Sequence, residues 1–127
     1  MYWYMIPSRT KHHTKAMHII DNARSIIIPS IVIHEYIWVM IKHLSISPDV
    51  VSLKVKEYVN DPRCRYLLER VDTFALALKM LHAHGSKVSM LNDYIILAVA
   101  MQNNALLATF DNELKAYAIR SGLGTLP

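Results

Sequence analysis

Cysteine, glycine and proline are scarce in this chain: one, three and five among 127 residues. Cys64 stands alone, so no internal disulfide can form, and a reducing, cytoplasmic setting is expected. So little glycine and proline argues against disorder and against a turn-rich all-β fold. The glycines fall at positions 85, 122 and 124, which leaves neither a dinucleotide-binding fingerprint nor a P-loop. Long hydrophobic runs are missing too. The longest uninterrupted one goes from Tyr94 to Met101, far short of the roughly 20 residues a membrane span needs, so no membrane partner is expected. The opening "MYWYMIPSR" has neither the basic start nor the small-residue cleavage site of a signal peptide.

What is present is apolar and mildly basic. Hydrophobic residues make up 53% of the chain, ample for one core, and the length fits one domain over residues 1–127. The formal charge of +4 is compatible with a polyanionic partner such as RNA.

Periodicity predicts an alternation of helices and strands. Thr10–Arg24 reads as a helix with Ala16, Ile20 and Ala23 on one face. "SIIIP", Ser25–Pro29, reads as a buried strand. Ser30 is expected to cap a helix from Ile31 to about Leu44, with Ile33, Ile37, Met40 and Ile41 at helical spacing. Ser47-Pro48 starts the next helix, which carries Val51, Val55, Tyr58 and Val59 and stops before Asp61-Pro62. Cys64–Val71 is read as a strand. Asp72 is expected to cap a helix bearing Phe74, Ala77, Leu78 and Leu81 that ends at Gly85. Ser89 opens a helix to about Asn103 whose apolar residues surround it, as in a fully buried helix. Ala105–Thr109 is read as a strand, and Asp111 as the cap of a last helix ending near Gly122. Such alternation predicts an α/β sandwich with a mostly parallel sheet.

Three acids are expected just after points where a strand or loop turns into a helix: Glu35, Asp93 and Asp111. In α/β proteins that end of the sheet is where sites are usually kept. Carboxylates about 5 Å apart would repel by roughly 3 kcal/mol at an effective dielectric of 20, and a bound cation relieves that repulsion. Each acid also has a plainer reading. Asp111 alone is best read as a helix cap, and Asp93 is read equally well as a cap or a functional group. Glu35 alone fits a solvated position beside Tyr36, Ile37 and Trp38.

Taken together, the segments "IIIPSIVIHEYIWVM" with Glu35, "LNDYIILAVAMQNNALLATFD" with Asp93 and Asp111, and the trailing "ELKAYA" resemble the PIN-domain family. In size the chain looks like the VapC-type toxins of toxin–antitoxin pairs. The resemblance runs over nearly the whole chain from about Trp3. It implies a three-layer αβα sandwich with a central, mostly parallel sheet, and a Mg²⁺- or Mn²⁺-dependent endoribonuclease. It places Glu35, Asp93 and Asp111 at three acidic metal positions. Thr109 falls where a hydroxyl residue often precedes the last acid, so it either hydrogen-bonds near the site or packs the strand end. RNA as substrate, an antitoxin protein as partner, and a homodimer or higher oligomer are implied as well.

One departure matters. PIN domains usually open with a strand ending in an aspartate, within a pattern like Asp-Thr-Asn. No such motif occurs here; the first aspartate, Asp21, lies inside the predicted first helix. The expectation is a chain short of that strand and its metal ligand, with an exposed sheet edge. This motivates a rival expectation, a non-catalytic PIN-like binding or dimerisation module. The histidines at 12, 13, 82 and 84 lack zinc-site spacing, and Cys64 reads as a packed thiol. Arg9, Lys11, Lys15 and Arg24 read as a solvated helix face.

Overall fold

The computed structural model describes residues 13–109 and 112–126. The chain divides into two compact units, one ending at Leu67 and the other beginning at Leu68.

In the first unit the order is α1 (His13–Asn22), β1 (Ile26–Pro29), α2 (Ser30–Trp38), a π-helical turn (Val39–His43), α3 (Pro48–Val59) and β2 (Cys64–Leu67). β1 and β2 run parallel, with Ile26 opposite Cys64 and Ile28 opposite Tyr66. The β-branched run supplies buried Ile26 and Ile28. Pro29 ends the strand in an extended conformation (φ −64°, ψ 146°). It therefore takes the cap position expected of Ser30, which is instead the first helical residue. The buried stripe of α2 is Val32 and Tyr36, at 0% and 3% exposure. Ile33 and Ile37 are only half-buried, so the helix is rotated by one position from the expected face. At its end the backbone widens: the Leu44 amide reaches the carbonyl of Val39 and the Ile46 amide that of Met40. Ser45, at φ 52°, then stops the helix. Trp38 is 53% exposed, with Lys42 Nζ 5.3 Å from its ring centroid, so it is no core residue.

Before β2, Arg63 grips Asp61 through both oxygens: Nε to Oδ1 at 3.2 Å and Nη2 to Oδ2 at 3.0 Å. Its Nη1 donates to the carbonyl of Ala23 at 3.3 Å. The turn into β2 is thereby tied to the segment after α1.

The second unit comprises α4 (Val71–Ala83), a 3₁₀ turn (Val88–Met90), α5 (Leu91–Gln102), β3 (Leu107–Ala108), α6 (Asn112–Arg120) and β4 (Thr125–Leu126). Three expectations are corrected here. The strand read as Cys64–Val71 stops at Leu67, and Val71 already begins α4. Arg70 takes the cap position, so Asp72 lies in the first turn and pairs with Arg70 through two hydrogen bonds of 2.9 Å. The helix expected to open at Ser89 is 3₁₀ through Met90 and α-helical only from Leu91. The buried side of α4 matches the expected face at Ala77 and Leu81 and differs at the other two positions. Thr73, Ala77, Met80 and Leu81 are buried, while Phe74 and Leu78 are 42% and 53% exposed. Thr73 tolerates burial because it donates its hydroxyl to Gln102 Oε1 at 2.7 Å.

α5 is buried at every position from Tyr94 to Ala100, as its all-round apolar surface demands, and it packs chiefly on α4. All three helices close with the same paired-bond turn. After α4, the Ser86 amide reaches the carbonyl of Leu81 and the Gly85 amide that of His82. After α5, Asn104 takes the left-handed position (φ 50°); after α6, Gly122 does (φ 77°). This last turn sends the chain back as β4, parallel to β3, with Leu107 and Thr109 amides donating to the carbonyls of Gly124 and Leu126 at 3.0 Å. β4 is a strand the sequence pattern does not announce. The fold is α/β with parallel strand pairs in both units.

Candidate active site

Asp93 is the third residue of α5, in its first turn and half-buried. The partial positive charge of a helix N-terminus favours a carboxylate there. The chain around it is held tightly. Tyr94 is fully buried, and its hydroxyl lies 2.7 Å from Ser86 Oγ and 2.9 Å from His84 Nδ1. A chain of bonds runs from Ser86 to Tyr94 to His84. Burial pushes the Tyr94 hydroxyl pKa up, against the Ser86 hydrogen bond, which lowers it. The rings of Tyr94 and Tyr117 are 5.1 Å apart, which ties the start of α5 to α6.

Thr109 follows β3 and is 2% exposed. Its amide is committed to β4, so its position is set by the parallel pair. Glu35 sits half-buried on α2, directly before the core residue Tyr36. It belongs to the first unit, and Asp93 and Thr109 to the second. Asp111 lies outside the described residues. The described residues thus place Asp93 and Thr109 in one unit. Among the described residues no group of three His, Cys, Asp or Glu side chains is arranged to hold a metal ion. The donor chemistry does suit a hard divalent cation, since carboxylate oxygens are what Mg²⁺ takes from proteins.

A feature that sequence reasoning missed involves the segment just ahead of Asp93 in the sequence. A recess of about 440 Å³ is lined by the turn after α4, the 3₁₀ segment and one face of α6. His84 is part of its wall. A signal was present in the clustering of Lys87, Ser86 and Ser89 just ahead of Asp93, but Arg120 and Tyr117 join them only in three dimensions. Of the basic residues expected on the first helix, Lys15 is exposed on α1 and Arg24 is exposed just past its end, and Arg9 and Lys11 lie outside the described residues.

Among the described residues no helix is long and apolar enough to cross a membrane. A family model described as the PIN domain matches residues 1–120. The chain belongs to the PIN-domain family, whose members are generally nucleases that use divalent metal ions. No curated protein matches the chain.

Proposed function

We propose that residues 1–127 form one PIN domain that acts as a Mg²⁺- or Mn²⁺-dependent endoribonuclease, the toxin of a VapBC-type pair. The observation that carries this reading is the family match over residues 1–120, joined to an acid in the first turn of the buried helix α5. Glu35, Asp93 and Asp111 would hold the cation, which would stabilise the charge that develops on an RNA phosphodiester and activate the attacking water. The chain's own contribution is placement. Tyr94, clamped by Ser86 and His84, fixes the backbone that carries Asp93. Thr109 is held by β4 and stands two residues before Asp111 in the sequence. An antitoxin protein would be the physiological partner and the cytoplasm the setting.

A homodimer or higher oligomer is part of the same reading. Val71 and Val88, at 84% and 77% exposure, offer apolar surface for it, and light scattering at micromolar concentration would detect the monomer that contradicts it. The functional test is cleavage of single-stranded RNA with Mg²⁺ or Mn²⁺, abolished by EDTA. Metal-independent cleavage would refute the mechanism. Inactivity across varied RNAs would favour a non-catalytic PIN-like module.

A further inference from the structure

The recess formed by the turn after α4, the 3₁₀ segment and α6 combines cationic side chains with an aromatic ring. Lys87 and Arg120 line it, and among the described residues neither is in an ion pair. Ser86, Ser89 and His84 add hydrogen-bonding atoms. Tyr117 contributes a half-buried ring whose centroid is 5.7 Å from the Arg120 guanidinium carbon and 5.7 Å from the His84 ring. Glu113 is the acid among the described lining residues, against the two cations Lys87 and Arg120, so their formal charges sum to a positive value. At about 440 Å³ it falls within the size range of small-ligand sites. Its wall is contributed by Ser89 and Met90, just ahead of Asp93, and by Glu113, just after Asp111. The two acid-bearing segments therefore frame it in sequence.

We propose that this recess seats one nucleotide of single-stranded RNA adjacent to the bond to be cut. The phosphate lies against Lys87 and Arg120. The base packs near the Tyr117 and Arg120 planes, the way unpaired bases are generally held by aromatic rings and guanidinium groups. Glu113 accepts a hydrogen bond from a base amine or ribose hydroxyl. This inference rests on the nuclease reading for its substrate, but its test does not depend on cleavage.

The test is fluorescence anisotropy with a short labelled oligoadenylate in EDTA, so that no cleavage occurs. Lys87 and Arg120 are exposed, so Lys87→Gln and Arg120→Gln are expected to fold normally, which circular dichroism checks. Each removes one phosphate contact. Each should lower the salt slope of binding by about 0.7 and weaken affinity about fivefold near 0.1 M salt. Lys79→Gln, an exposed α4 position outside the recess, should change neither. Unchanged affinity and slope in both recess variants would overturn the proposal, as would an equal loss in Lys79→Gln or no binding by the native chain. If the native chain cleaves RNA with Mg²⁺ while the recess variants bind normally, this inference fails and the nuclease reading stands. If it never cleaves but binding requires Lys87 and Arg120, the reverse holds.

Discussion

Ser86 Oγ lies 2.7 Å from the Tyr94 hydroxyl, so the turn that ends α4 holds the residue next to Asp93. Tyr94→Phe keeps the shape of the buried ring and deletes this bond together with the one to His84. Ser86 and His84 are half-buried and can turn to water. The expected loss is about 0.5–1.5 kcal/mol with the fold retained, measured by urea unfolding. The variant should also change the alkaline limb of stability. Burial, the largest cause, raises the Tyr94 pKa in the folded state. A group raised in this way contributes stability that is present below its unfolded pKa, about 10, and lost as pH rises through the folded value. Stability of the native chain should therefore fall more steeply above pH about 10 than that of Tyr94→Phe. Parallel curves would remove Tyr94 as the source.

Arg63 makes the opposite case, at the acid end. Its hydrogen bonds, first from the side chain and then from the backbone, hold the Asp61 carboxyl below the ordinary aspartate pKa. A depressed pKa gives stability that is present above the unfolded value and lost as pH falls through the folded one. Arg63→Gln should lower the melting temperature at neutral pH, and the difference from the native chain should shrink as pH drops below the aspartate range. Part of the loss should persist in acid, because the bond to the Ala23 carbonyl does not titrate. Thermal melts across that range read both components.

Two glycines close in sequence should differ in what alanine costs. At Gly122 a Cβ would meet nothing within 4 Å, yet φ is 77°. Gly122→Ala should cost about 1 kcal/mol, because an L side chain is strained in the left-handed region. At Gly124 a Cβ would come within 2.6 Å of Leu106 Cδ2. Leu106 is 63% exposed and can swing aside, so Gly124→Ala should cost less than Gly122→Ala despite the contact. Urea midpoints of the two variants test the order.

Local chemistry made some of this structure legible in the sequence. Helix α5 has no polar face to present to water, so its burial from Tyr94 to Ala100 follows from its residues. Gly85 and Gly122 mark helix ends because the turns require positive φ. Other features depended on distant partners. Thr73 rather than Phe74 faces inward because Gln102, 29 positions away, takes its hydroxyl. β4 spans two residues and exists only through its pairing with β3. In the candidate site, the place of Asp93 in a first helical turn was readable. The recess was not, since its cations come from a loop and from the last turn of α6.

Asp93 is the residue on which the proposed chemistry can be tested most directly. Asp93→Asn keeps the size of the side chain and removes its charge. A carboxylate in a first helical turn is worth about 0.3–1 kcal/mol, so stability should fall by no more than about 1 kcal/mol. Loss of a metal-holding carboxylate should reduce Mg²⁺-dependent cleavage of single-stranded RNA by about 100-fold or more, at least the upper end of what disturbing a supporting group costs. The binding of oligoadenylate in EDTA should persist or strengthen, because one negative charge near the phosphate path is gone. The combination of lost cleavage, retained fold and retained binding is what a metal-holding role predicts. Equal cleavage by both proteins would assign Asp93 to helix stabilisation, and a large drop in melting temperature would make its role structural.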